Sequence, residues 1–225
     1  MLKSIITAGA ACLIAGTLHA APVSYSDPFT SFFAFGDSLT DDGKFGFQAP
    51  PSFGGRFSNG ITYAEHLAQD FIDAGKVEEN FALGGATSGD INTTDYPDPE
   101  AAAPFATFGA QIATFELLAS SVPIGDNPLV SVFLGANDLF QNLFTNPTIG
   151  EDAANAVKAG IESIAALDPA LDTFLVLNLP DIALTPAFAG GPAEEHRRLP
   201  IVRVQSTTGI KRGRLAHIWP EHHRI

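Results

Sequence analysis

Phe35-Gly36-Asp37-Ser38-Leu39-Thr40-Asp41 places a serine directly after a short apolar run, among residues that form turns. A serine on a tight turn between strand and helix exposes its hydroxyl, and its own backbone N–H can face a bound oxyanion. Acyl transfer needs both, a nucleophile and a fixed donor for the charge on the carbonyl oxygen. Ser, Thr and Asp also cap helices, so Ser38 read alone fits an N-cap equally well. It is not a Gly-x-Ser-x-Gly elbow, because Thr40 stands where the second glycine would be. Gly84-Gly85 is a second candidate, where a backbone N–H can approach a ligand with no side chain in the way. Asn137, in Gly135-Ala136-Asn137-Asp138, is a third, with an amide able to donate to the same oxygen. An ordinary turn accounts for either of these by itself.

A serine hydroxyl is a poor nucleophile without a base to take its proton. Six histidines are available, and four of them (His196, His217, His222 and His223) fall in the last 30 residues. His66 belongs to a helical stretch, on a face expected to be solvated. The single cysteine, Cys12, excludes a disulfide framework and a cysteine-based zinc site.

These residues must be held by something, and the hydrophobic pattern says what. Phe32–Phe35, Asn80–Leu83, Leu129–Leu134 and Thr173–Leu179 are short, nearly all-apolar runs bounded by Gly or Pro, the pattern of buried strands. Ile61–Ala74, the second half of Phe105–Ser121, and Ile149–Leu167 carry apolar residues at helical spacing. Residues 42–60, rich in Gly and holding two adjacent Pro, and the acidic stretch Thr93–Pro104 read as loops, placed to form cleft walls. Strands that alternate with helices and are apolar on both faces predict an α/β fold, a parallel sheet covered on each side. Ligands in such folds sit outside the carboxyl ends of the strands, where Ser38, Gly85 and Asn137 fall.

Composition narrows the class. The chain has 225 residues, 45% apolar and 16% charged, as a folded domain should. Its net charge of −13 argues against nucleic acid as a partner, because phosphate neutralisation needs Lys and Arg. The average conceals a break: residues 1–195 hold five Lys+Arg against 24 Asp+Glu, and residues 196–225 hold seven against one.

Three segments together, Phe35–Asp41, Asn80-Phe81-Ala82-Leu83-Gly84-Gly85-Ala86-Thr87 and Gly135–Asp138, closely resemble the first three sequence blocks of the GDSL esterase/lipase family, the SGNH hydrolases. Leu177-Asn178-Leu179-Pro180-Asp181 with Thr185-Pro186 is similar to the family's segment after its fourth strand. The resemblance covers about residues 31–193. It implies a three-layer α/β/α sandwich of flavodoxin-like type and hydrolysis of carboxylic esters, with no metal or other cofactor. By position, Ser38 would be the nucleophile, and the Ser38 N–H, the Gly85 N–H and the Asn137 side chain the oxyanion hole. Asp37 and Asp41 are expected to hold the turn by hydrogen bonds. Small-molecule, lipid or glycan esters are the implied substrates.

One family feature is missing. The resemblance calls for a base from an Asp-x-x-His block near the C-terminus, and no aspartate here has a histidine three residues after it. The general base is therefore unknown. The expectation is an incomplete hydrolase domain over 31–193, its end truncated or frame-shifted, followed by a basic tail over 196–225 outside the family pattern. A non-catalytic protein holding a ligand in the same cleft is the alternative.

Lys3, an apolar run from Ile5 to Leu18, and His19-Ala20-Ala21 predict a signal peptide over 1–20 and a secreted or periplasmic protein. The run is too short for a stable membrane span. N-terminal sequencing of exported protein should begin at Ala21; Met1 or a lipidated Cys12 would contradict this.

Overall fold

The structure is a computed structural model, and it describes residues 24, 26–142, 145–182 and 185. The expected signal peptide, the boundary near residue 193 and the basic tail all lie outside these residues. In chain order the elements are β1 (Ser31–Gly36), α1 (Tyr63–Asp73), β2 (Val77–Asn80), α2 (Pro99–Ala102), α3 (Phe108–Ala119), β3 (Pro128–Phe133), α4 (Ala136–Asn142), α5 (Ile149–Leu167) and β4 (Thr173–Val176).

The four strands form one all-parallel sheet in the order β2-β1-β3-β4. Parallel neighbours cannot be joined by a tight turn, so each connection carries at least one helix. Period-two alternation in β1 divides the core. Phe32 and Ala34 pack with Leu129 against Ala64, Ala68 and Phe71 of α1. Phe33 and Phe35 face the other way, into a larger core with Val130, Val132, Phe108 and Phe115 of α3, and Val157, Ile161 and Ile164 of α5. The result is three layers, as the all-apolar strands predict.

Local sequence sets where the elements begin. Thr62 starts α1 with a capping box: its side chain accepts from Glu65 N, and the Glu65 carboxylate accepts from Thr62 N. Thr107 caps α3 through Ala110 N.

Three boundaries differ from the sequence reading. The second strand is Val77–Asn80, earlier than Asn80–Leu83, because its charged Glu78 and Glu79 tolerate a sheet edge. Phe81 N and Leu83 N still donate to Ala34 O and Gly36 O, which carries the segment to the end of β1. The fourth strand stops at Val176, although Leu177 N donates to Val132 O. The acidic loop contains a single helical turn, α2, capped by Asp98 through Ala101 N.

Gly160 marks the closest approach of α5 to α3. A Cβ there would stand 2.2 Å from Phe108 Cε1 and 2.5 Å from Cδ1. Alanine is the better helix former by about 1 kcal/mol. Forcing a methyl into a filled core costs about 1–3 kcal/mol, so packing should win. Gly160→Ala is expected to lower the urea midpoint; an unchanged or raised midpoint would show that the ring moves aside freely.

Candidate active site

The chain runs from β1 out to β2 and returns on the other side of β1 as β3, so the strand order reverses between β1 and β3. Beyond the carboxyl ends of two such strands, the connections diverge and leave a crevice. Ser38 follows β1 and Asn137 follows β3.

Buried and part-buried hydrogen bonds join these ends. Asp37 N donates to Phe133 O at 3.3 Å, tying the end of β1 to that of β3. Thr40 N and Asp41 N both donate to Asp37 O, closing one helical turn with Ser38 inside it. Asp41 links that turn to the next segment: its Oδ1 accepts from Gly43 N, and its Oδ2 from Gly84 N at 2.7 Å. Asn137 Nδ2 donates to Ala86 O at 2.8 Å. Asp138 accepts from Ser88 N and Gly89 N, securing α4 to the same stretch. The Ser38 turn, the Gly84-Gly85 turn and the start of α4 are thus stitched into one surface.

Within it, Ser38, Gly85 and Asn137 are each half-buried, while Asp37, Gly84, Ala86, Ala136 and Asp138 are buried. Among the described residues no acceptor is hydrogen-bonded to Ser38 N–H or to Gly85 N–H. The Asn137 amide spends one hydrogen on Ala86 O and keeps the other. Gly85 has φ of +85°, which a side chain rarely adopts. Gly84 is needed for a different reason, since a Cβ there would meet the Phe57 ring. Such an arrangement places two backbone donors, one amide donor and a hydroxyl on adjoining, half-buried segments.

Two further features escaped the sequence reading. Gln111 is fully buried: its Nε2 donates to Gly36 O and Phe105 O, and its Oε1 accepts from Gly36 N. The available signal was a polar residue at the i+3 place of the face that buries Phe108 and Phe115. The second is a polar loop, Asn92–Thr94, seated on Gly85. Of the histidines, only His66 lies among the described residues, and it is exposed on α1, opposite Ala64 and Ala68. His196, His217, His222 and His223 lie outside them. No group of three His, Cys, Asp or Glu able to hold a metal occurs among the described residues.

Asp37 is 1% exposed; its Oδ1 accepts from Leu39 N, and its Oδ2 has no hydrogen-bond partner among the described residues. Burial pushes its carboxyl from the ordinary aspartate range up to about 7, against the Leu39 N–H and with help from the charges of Asp138 and Asp41. Asp41 is raised too, again by burial, although the N–H groups of Gly84 and Gly43 oppose it. Both aspartates hold the turn by hydrogen bonds, as expected from the sequence.

A carboxyl with a higher pKa folded than unfolded binds more protons in the folded state. Its contribution to stability is complete below about pH 4 and is lost as pH rises to about 7. Asp37→Asn keeps the oxygen that Leu39 N needs and never ionises. Its stability relative to the parent should therefore increase between pH 4 and 7, by about 4 kcal/mol at most. Urea unfolding at several pH values checks this, and parallel stability curves for the two proteins would contradict it.

The chain matches the GDSL-like Lipase/Acylhydrolase family over residues 32–218, past the charge break at Glu195 and through His196 and His217. It is 29% identical over 179 residues to the secreted effector protein SseJ of Salmonella typhimurium, an alignment covering 73% of this chain and 38% of that protein. The chain thus spans well under half of that relative's length. With most of its residues inside the family match, and with the all-parallel α/β architecture described above, this chain belongs to the GDSL-like lipase/acylhydrolase family, hydrolases of ester bonds.

Proposed function

We propose that the chain is an ester hydrolase of this family that forms its acyl-enzyme on Ser38, slowly because these 225 residues hold no Asp-x-x-His to supply the base. The observation that supports this best is the coincidence of three half-buried groups on stitched strand ends, two of them backbone N–H groups without an acceptor among the described residues. In this reading the Ser38 hydroxyl attacks the carbonyl, and the Ser38 N–H, Gly85 N–H and Asn137 Nδ2 receive the oxygen as it becomes charged. Donors fixed in advance contribute about 3 kcal/mol each to such a transition state. The alcohol leaves with a proton, and water releases the acid. No metal or other cofactor is invoked, and no residue is assigned as base.

The substrate is an ester with an apolar portion. Leu39 and Phe140, each about two-fifths exposed, lie on the Ser38 turn and on α4, and Phe57, similarly exposed, reaches Gly84 from the glycine-rich loop. Export to the periplasm or beyond, after loss of residues 1–20, is part of the same proposal. Among the described residues no helix is long and apolar enough to cross a membrane. SseJ is itself described as a secreted effector.

A binding-only reading is favoured by one observation, the lack of an Asp-x-x-His sequence. An alkyl fluorophosphonate separates the two. It should label Ser38, slowly in the absence of an oriented imidazole, and should not label Ser38→Ala. Labelling elsewhere, or none, would remove Ser38 as nucleophile. Turnover of p-nitrophenyl butyrate should be near zero and unchanged when His217, His222 and His223 are all replaced by Ala. Turnover of about 1 s⁻¹ or more that this replacement abolishes would assign the base to those histidines.

A further inference from the structure

Gln141 lies one helical turn after Asn137, so the two side chains leave the same face of α4. Its Nε2 donates to Asn92 Oδ1 and to Thr94 Oγ1, both at 3.2 Å. Its Oε1 accepts from Thr93 N and Thr93 Oγ1, both at 2.9 Å. The loop held in this way turns its own donors on Gly85: Asn92 Nδ2 and Thr94 Oγ1 each donate to Gly85 O at 3.0 Å. Asn92 Nδ2 also reaches Ala106 O, which anchors the loop just ahead of α3.

These bonds lie in part-exposed surroundings where water could satisfy every group, so each adds only about 1 kcal/mol to stability. Their effect on geometry is larger. Gly84 N is held from one side by Asp41 Oδ2, and Gly85 O from the other by Asn92 and Thr94. The Gly85 N–H lies between those two anchors. Glycine has the widest backbone freedom of any residue, so without the second anchor this N–H could swing.

We propose that Gln141, acting through Asn92 and Thr94, is a positioning residue that fixes the Gly85 N–H relative to the Asn137 amide on its own helix. The inference rests on the acyl-transfer reading of Ser38, Gly85 and Asn137, and supplies that site with a device that sets the spacing of two oxyanion donors. Displacing such a group by about 1 Å can cost about a hundredfold in rate.

The test uses Gln141→Leu, which removes all four bonds, Thr94→Val, which removes the hydroxyl donor to Gly85 O at similar volume, and Thr94→Ser, which keeps it. Two quantities are read: the second-order rate of Ser38 labelling by an alkyl fluorophosphonate, and the chemical shift and hydrogen exchange of the Gly85 amide in ¹⁵N-labelled protein. Gln141→Leu and Thr94→Val should slow labelling about tenfold or more, shift the Gly85 amide and speed its exchange, with little change in the urea midpoint. Thr94→Ser should match the parent in both. An unmoved Gly85 amide in Gln141→Leu and Thr94→Val would overturn the proposal, whatever the labelling rates. Equal slowing by Thr94→Ser and Thr94→Val would also overturn it, by assigning the effect to packing. Absence of labelling in the parent, with the Gly85 amide still responding, would instead overturn the acyl-transfer reading and with it the purpose assigned to the clamp.

Discussion

All strands of a parallel sheet end at the same edge, and the backbone groups left there by the ladder must find partners or face water. Here that constraint falls on Gly36, the last residue of the central strand. Its N–H and C=O are both taken by one buried side chain, Gln111, and its C=O also accepts from Leu83 N. With Gly36 held, the next residues can leave the sheet in a tight turn, and Ser38 sits inside that turn. The aromatic cluster beneath, with Phe35 against Phe81, Phe108 and Phe115, gives the turn a rigid floor.

Carboxylates extend the arrangement outward. Asp37, Asp41 and Asp138 are all nearly buried, and each accepts backbone N–H groups that the sheet does not use. Such bonds favour the charged form, and burial opposes it. For Asp37 the backbone N–H groups lower the pKa less than burial raises it. For Asp41 two N–H bonds reduce the rise without cancelling it. Asp37 and Asp41 thus give up some stability near neutral pH, while their bonds order the loops they join. Residues that bring donors at strand ends into register need not be the ones that stabilise the fold most.

The loops over the site are ordered by a different chemistry. Phe45 and Phe47 of the glycine-rich loop pack on Phe105 and Tyr96, so the two segments expected as cleft walls meet through aromatic rings. Arg56 pairs with Glu65, the residue that also closes the capping box of α1. One ion pair therefore couples the loop bearing Phe57 to a helix that packs on the sheet. A lone pair of this kind adds little to stability, and here it chiefly sets direction.

The sequence by itself determined the layers and the candidate residues. Runs such as Phe32–Phe35 and Leu129–Leu134 are apolar on both faces, and only a sheet covered on each side buries both. The helical spacing of Ile149–Leu167 gave α5 its bounds without help from tertiary structure. Ser38, Gly85 and Asn137 were legible only together: each alone fits a cap or a turn, and their order at strand ends in three family-like blocks singled them out. Tertiary structure decided what local signals cannot contain. Glu78 and Glu79 read as non-strand until β1 supplies the ladder beside them. Gln111 looks like a surface residue until Gly36 comes to it from 75 positions away. The same holds for Gln141 and the Asn92–Thr94 loop, whose polar residues acquire meaning only when Gly85 is their partner. Hydrophobic periodicity is a property of neighbours along the chain, whereas the partner of a buried polar group is set by which segments the fold brings together.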